Sequence, residues 1–132
     1  MSPTNTAVLA ASLLLSTPSP LTAAPLAYEK LTLDDRFFAE GIAAGDFNND
    51  GHPDIVAGPF WFAGPDFTKR HEIYPPEPVD PLKYSKNFVA SAYDFDGDGW
   101  TDALVYGFPG EDASWYRNPG ETRRAWTRHL VY

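Results

Sequence analysis

Residues 46–54 read DFNNDGHPD and residues 94–102 read DFDGDGWTD. In both stretches an oxygen-bearing side chain recurs at positions 1, 3, 5 and 9, and glycine holds position 6. The side chains are Asp46, Asn48, Asp50 and Asp54 in the first stretch, and Asp94, Asp96, Asp98 and Asp102 in the second. Alternate residues of a tight loop place their oxygens on one side, which suits a hard cation taking 6–8 oxygen ligands, calcium above all. Position 7, His52 and Trp100, supplies a backbone carbonyl in such a loop. Gly51 and Gly99 stand where the chain must turn sharply, a conformation with positive φ that glycine adopts without steric cost. A single Asp/Asn/Gly cluster is usually a solvated turn. Two with identical spacing point to metal sites.

The sequence around these loops repeats as well. Residues 41–58 read GIAAGDFNNDGHPDIVAG and residues 89–107 read VASAYDFDGDGWTDALVYG. Each runs from small and apolar residues through Asp-Phe and the acidic loop into a β-prone segment. Further on, TKRHEIY (68–74) resembles TRHLVY (127–132). The loops start 48 residues apart, whereas His71 and His129 are 58 apart, so the second unit is expected to carry about ten extra residues in a connection. A period near 50 with turn-rich, strand-like segments fits propeller blades of about four strands each.

The expected fold is therefore all-β, with about two blades of four antiparallel strands. Strands are expected at Gly41–Gly45, Asp54–Gly58, Phe60–Ala63 and His71–Tyr74. A second set follows at Phe88–Tyr93, Asp102–Tyr106, Ala113–Arg117 and Thr127–Tyr132. Pro75–Pro81 (PPEPVDP) reads as the link between blades, because proline removes ladder donors. Repeat one spans about residues 34–80 and repeat two about 81–132. Tyr28–Leu33 reads as an outermost strand without its own blade. Closed propellers need 4–8 blades, so the pair reads as part of a larger propeller with two open, aromatic-rich flanks.

Composition narrows the function. The net charge of −8 argues against nucleic acid, whose binding rests on lysine and arginine at phosphates. Seven of the 18 carboxylates fall in the two loops, so much of the acid is cation-binding charge. The absence of cysteine excludes disulfides, thiolate metal sites and thiol nucleophiles. Ala7–Ser16 (AVLAASLLLS), followed by small residues up to Ala27, reads as a secretory signal over residues 1–27, with cleavage after Ala24 or Ala27. The run is too short to span a membrane, which takes about 20 apolar residues. Export leaves residues 28–132 as the domain, secreted or periplasmic.

The loops match the opening of an EF-hand, but position 12 is Ala57 or Val105 instead of glutamate, and β-formers follow where a helix is required. An EF-hand or dockerin is thus a poor reading. On the strength of DFNNDGHPD and DFDGDGWTD, each ahead of a strand, residues 28–132 resemble the FG-GAP/VCBS repeat family of integrin-α-like propellers. The resemblance implies one blade per repeat and a calcium ion in each loop.

His71 and His129 hold matching repeat positions, and His52 lies within a loop, so structural roles are expected for all three. Trp61, Trp115 and Trp126 are expected to pack within and between blades, the alternative being stacking on sugars. Asp96 replaces the neutral Asn48, which predicts tighter calcium binding by the second loop. The expected function is a non-catalytic recognition or scaffold module for an extracellular protein or glycan. The alternative is the propeller part of a secreted sugar-active lyase or dehydratase, for which Trp115–Pro119 (WYRNP) offers a glycan-facing surface.

Overall fold

The computed structural model describes residues 26–120 and 125–132; the expected leader, 1–27, lies outside these but for its last two residues. Eight short strands form two four-stranded antiparallel meanders. The first holds β1 (Ile42–Gly45), β2 (Asp54–Ala57), β3 (Phe60–Ala63) and β4 (Lys69–Glu72). The second holds β5 (Val89–Tyr93), β6 (Asp102–Tyr106), β7 (Ala113–Arg117) and β8 (Thr127–Leu130). No helix occurs among the described residues, nor any long enough to cross a membrane. The all-β, two-blade expectation holds.

Register shows that the two sheets are copies. Trp61 pairs with His71 as Trp115 pairs with His129, and Gly45 pairs with Asp54 as Tyr93 pairs with Asp102. Both tryptophans stack on their histidines, at 4.2 and 4.5 Å between ring centroids. The histidines therefore lie in strands, and burial pushes the His71 imidazole below its ordinary pKa. The extra residues of the second unit are not one insertion, contrary to expectation. They divide between the Gly107–Asp112 turn ahead of β7 and the connection from β7 to β8. The fourth strand of the first sheet runs two residues earlier than expected, because Trp61–His71 pairing sets its register.

β3 is the most buried strand, since its FWFA sequence is apolar on both faces. Trp61 and Ala63 face the second sheet, where Phe47, Val56 and Ile73 join Ala103 and Trp126 in one core. Tyr74 stacks on Tyr116 across the same junction, at 4.7 Å. Burying each such aromatic stabilises the junction by roughly 1.5–3 kcal/mol. Phe60 and Phe62 face the other way, onto Phe38 and Leu33. Phe38 meets Phe60 edge to face at 5.3 Å. Asp34 bonds Arg36 and Arg70, whose guanidinium groups lie over the rings of Phe38 and Phe60.

These contacts correct two expectations. Tyr28–Leu33 forms no strand. The first sheet's flank is not open, because Leu33–Phe38 covers it with apolar side chains instead of backbone pairing. The flank of the second sheet is bare, with Val89, Tyr93, Phe95 and Tyr106 between 42% and 68% exposed.

The sheets join along β1 and β5. A Cβ on Gly41 would lie 2.7 Å from the Ala90 nitrogen and the Val89 carbonyl carbon, so the β1 backbone rests directly on β5. The Glu40 and Gly41 N–H groups both donate to the Asn87 carbonyl, at 3.1 and 3.0 Å. The Pro-rich link runs between the sheets as expected, pinned by the Val79 N–H to the Phe37 carbonyl and by Ser85 to the Glu40 carboxylate. Because backbone cannot yield as a side chain can, Gly41→Ala is expected to cost about 1–3 kcal/mol. Denaturant unfolding of that variant checks the value, and a stability equal to wild type would contradict the close approach.

Candidate metal centre

Each acidic loop connects the first two strands of its sheet, Asp46–Pro53 between β1 and β2 and Asp94–Thr101 between β5 and β6. In both loops the backbone N–H groups turn inward and orient the acidic side chains. The Asp46 carboxylate accepts from the N–H groups of Asp50 and Gly51, at 3.2 and 2.9 Å. The Asp94 carboxylate accepts from Asp98 and Gly99 at 3.1 and 2.9 Å, and from Gly97 as well. At position 3, Asn48 Oδ1 and Asp96 Oδ1 accept the next-but-one N–H, from Asp50 and Asp98. At position 5, Asp50 Oδ1 and Asp98 Oδ1 accept from His52 and Trp100, at 2.9 and 3.0 Å. The His52 bond, with that from Asn48, holds the Asp50 carboxyl below the usual carboxylate range. Gly51 and Gly99 lie at φ +84° and +89°, as position 6 demands.

Position 9 is different in kind. Asp54 and Asp102 have no solvent exposure. Asp54 takes the Phe47 N–H on one oxygen and the Gly64 N–H on the other, both at 2.8 Å. Asp102 repeats this with Phe95 at 3.0 Å and Asn118 at 2.8 Å. Each buried carboxylate thus ties the start of its loop to the turn after the third strand. Burial raises the Asp102 pKa, against the pull of the Asn118 and Phe95 bonds.

The two loops also hold each other. Asn49 Nδ2 donates to the Gly99 carbonyl at 3.0 Å. Asn118 Nδ2 donates to the Phe47 carbonyl of the first unit at 2.8 Å and to the Thr101 carbonyl of the second at 2.9 Å. Sequence reasoning missed Asn118. The available signal was the match of Trp115-x-x-x-Pro119 to Trp61-x-x-x-Pro65, which places Asn118 opposite Gly64. Within that stretch Asn118 is 4% exposed and Arg117 is bound to the second loop, and Trp115 and Tyr116 are half-buried. Trp61 and Trp126 are core residues.

Asp94, Asp96 and Asp102 each bring one carboxylate oxygen within 4.8 Å of the others. Two oxygens that each lie about 2.4 Å from a calcium ion can stand up to roughly 4.8 Å apart, so the spacing and the all-oxygen donor set fit that ion. The loops differ at Arg117, whose Nε lies 2.5 Å from Asp96 Oδ2 and whose Nη2 lies 2.9 Å from Asp98 Oδ2. Register places Ala63 at the corresponding site of the first sheet.

An FG-GAP repeat model matches residues 38–66 and 87–125, just over half of the chain. The chain belongs to the FG-GAP repeat family. The matched segments each contain one acidic loop and the first three strands of one sheet. No curated protein and no solved structure matches the chain.

The buried position carries a structural role separable from metal. In chelator, Asp102→Asn is expected to cost about 2–3 kcal/mol, because an amide offers one acceptor where two backbone N–H groups must be met. Asp50→Ala, on the exposed rim, is expected to change the chelator melt little. Equal effects of the two substitutions would refute the distinction.

Proposed function

We propose that this pair of FG-GAP blades is a calcium-stabilised module of an extracytoplasmic β-propeller, used for recognition or scaffolding without catalysis. The observation that carries the calcium reading is the duplicated loop network. Corresponding N–H groups orient the side chains at positions 1, 3, 5 and 9 in both loops, and in the second loop oxygens of Asp94, Asp96 and Asp102 lie within 4.8 Å of one another. Asp46, Asn48, Asp50 and Asp54, with the His52 carbonyl, form one ligand set. Asp94, Asp96, Asp98 and Asp102, with the Trp100 carbonyl, form the other. The ion's part is to neutralise converging carboxylates and lock a loop that joins two strands.

Placement outside the cytoplasm rests on the leader-like Ala7–Ser16 run and on the family, whose repeats are typical of extracellular proteins. A larger propeller is supported by the bare flank of the second sheet. Phe95 is 42% exposed where its counterpart Phe47, covered by the second sheet, is 2% exposed. A further blade would cover Phe95 and Trp115 as the second covers Phe47 and Trp61. Recognition of an extracellular protein or glycan follows from the family's habit of presenting loops. The sugar-active alternative is weakened where Asn118 and Arg117 of the WYRNP run bind within the fold.

Thermal unfolding with calcium and with chelator tests the reading. At a calcium concentration roughly 100-fold above Kd, linkage adds about 2.7 kcal/mol per site. For a domain of this size that raises Tm by about 10 °C or more. Superimposable melts of a folded sample would refute calcium binding.

A further inference from the structure

Arg117 sets the second loop apart from the first, because its guanidinium binds two of that loop's carboxylates. Resting on the calcium reading above, we propose that Arg117 is an affinity-setting residue: its guanidinium competes with the cation for the second loop and makes that loop no stronger than the first.

The geometry identifies what is contested. The loop's backbone N–H groups occupy Asp96 Oδ1 and Asp98 Oδ1. That leaves the Oδ2 atoms as the oxygens free to meet a cation, and these are the two atoms that Arg117 engages, at 2.5 and 2.9 Å. Arg117 reaches them because of its place in the chain rather than by a chance rotamer. It is the last residue of β7, and the next residue, Asn118, is anchored by its N–H to buried Asp102. The arginine therefore leaves the sheet beside the loop.

Charge counting points the same way. By its own side chains the second loop holds four carboxylates against three in the first, an advantage due to Asp96. Arg117 offsets that advantage by one unit charge, and the first sheet has uncharged Ala63 at the equivalent position. An ion entering the second loop must displace the guanidinium or share oxygens with it. An ion entering the first loop meets the neutral Asn48 amide on Asp50 Oδ2. On this count the advantage that Asp96 gives the second loop is cancelled.

Calorimetric calcium titration of the full chain tests this in an Asp50→Ala background, where only the second loop is intact. Adding Arg117→Ala or Arg117→Gln is expected to tighten binding by about fivefold, the scale of a half-exposed ion pair. Gln keeps a polar, partly extended side chain without the charge, and Arg117 is 47% exposed, so neither change disturbs the core. Tightening in both variants supports the competition. Unchanged or weaker binding in either overturns it and leaves the calcium reading intact. No calcium binding in any version, wild type included, overturns both.

Discussion

The fold turns on a buried carboxylate that answers two backbone N–H groups at once. Asp54 and Asp102 each begin a strand, and each joins the entrance of its own loop to the turn two strands further on. A fully desolvated carboxylate without partners would be intolerable, so the loop and the turn must both be in place for the sheet to form. This couples a local feature, the nine-residue acidic loop, to the strand order of the whole blade. It also explains why aspartate fits where asparagine cannot, since both oxygens have to accept.

Between the sheets the same logic operates through backbone proximity. Gly41 lets β1 lie against β5, and Asn118 spends both amide hydrogens on carbonyls of two different repeats. Asn49 then ties one loop to the other. Around these polar ties Phe47, Trp61 and Trp126 exclude water, with tilted ring contacts near 6 Å. Polar contacts set the relative position of the blades, and aromatic burial supplies the bulk of the stabilisation.

Much of this was legible before any coordinates. The β-prone runs and turn residues located all eight strands to within two residues, because most of the strands are bounded by glycine, proline or an acidic loop. The Asp/Asn spacing named Asp94, Asp96 and Asp102, whose oxygens converge. What escaped were features depending on contacts distant in sequence. The role of Leu33–Phe38 as a cover for Phe60 and Phe62 could not be read from a segment with no strand pattern of its own. Asn118 and Arg117 looked like parts of an aromatic surface run, and only the β6–β7 register brings them to the loop. The division of the extra residues between two connections was hidden, since a difference in spacing reports a total and not its location.

The cover formed by Leu33–Phe38 has a further consequence. One flank of the blade pair is sealed by side chains of the chain itself, and the opposite flank shows bare aromatic surface. The pair is therefore polar in the sense of a filament with unlike ends. Addition of another sheet is favoured on the side of Phe95 and Trp115, and on the other side an incoming sheet meets a folded-over segment held by Asp34 and its two arginines. A ring built from such units has a seam, and the seam lies at Phe38.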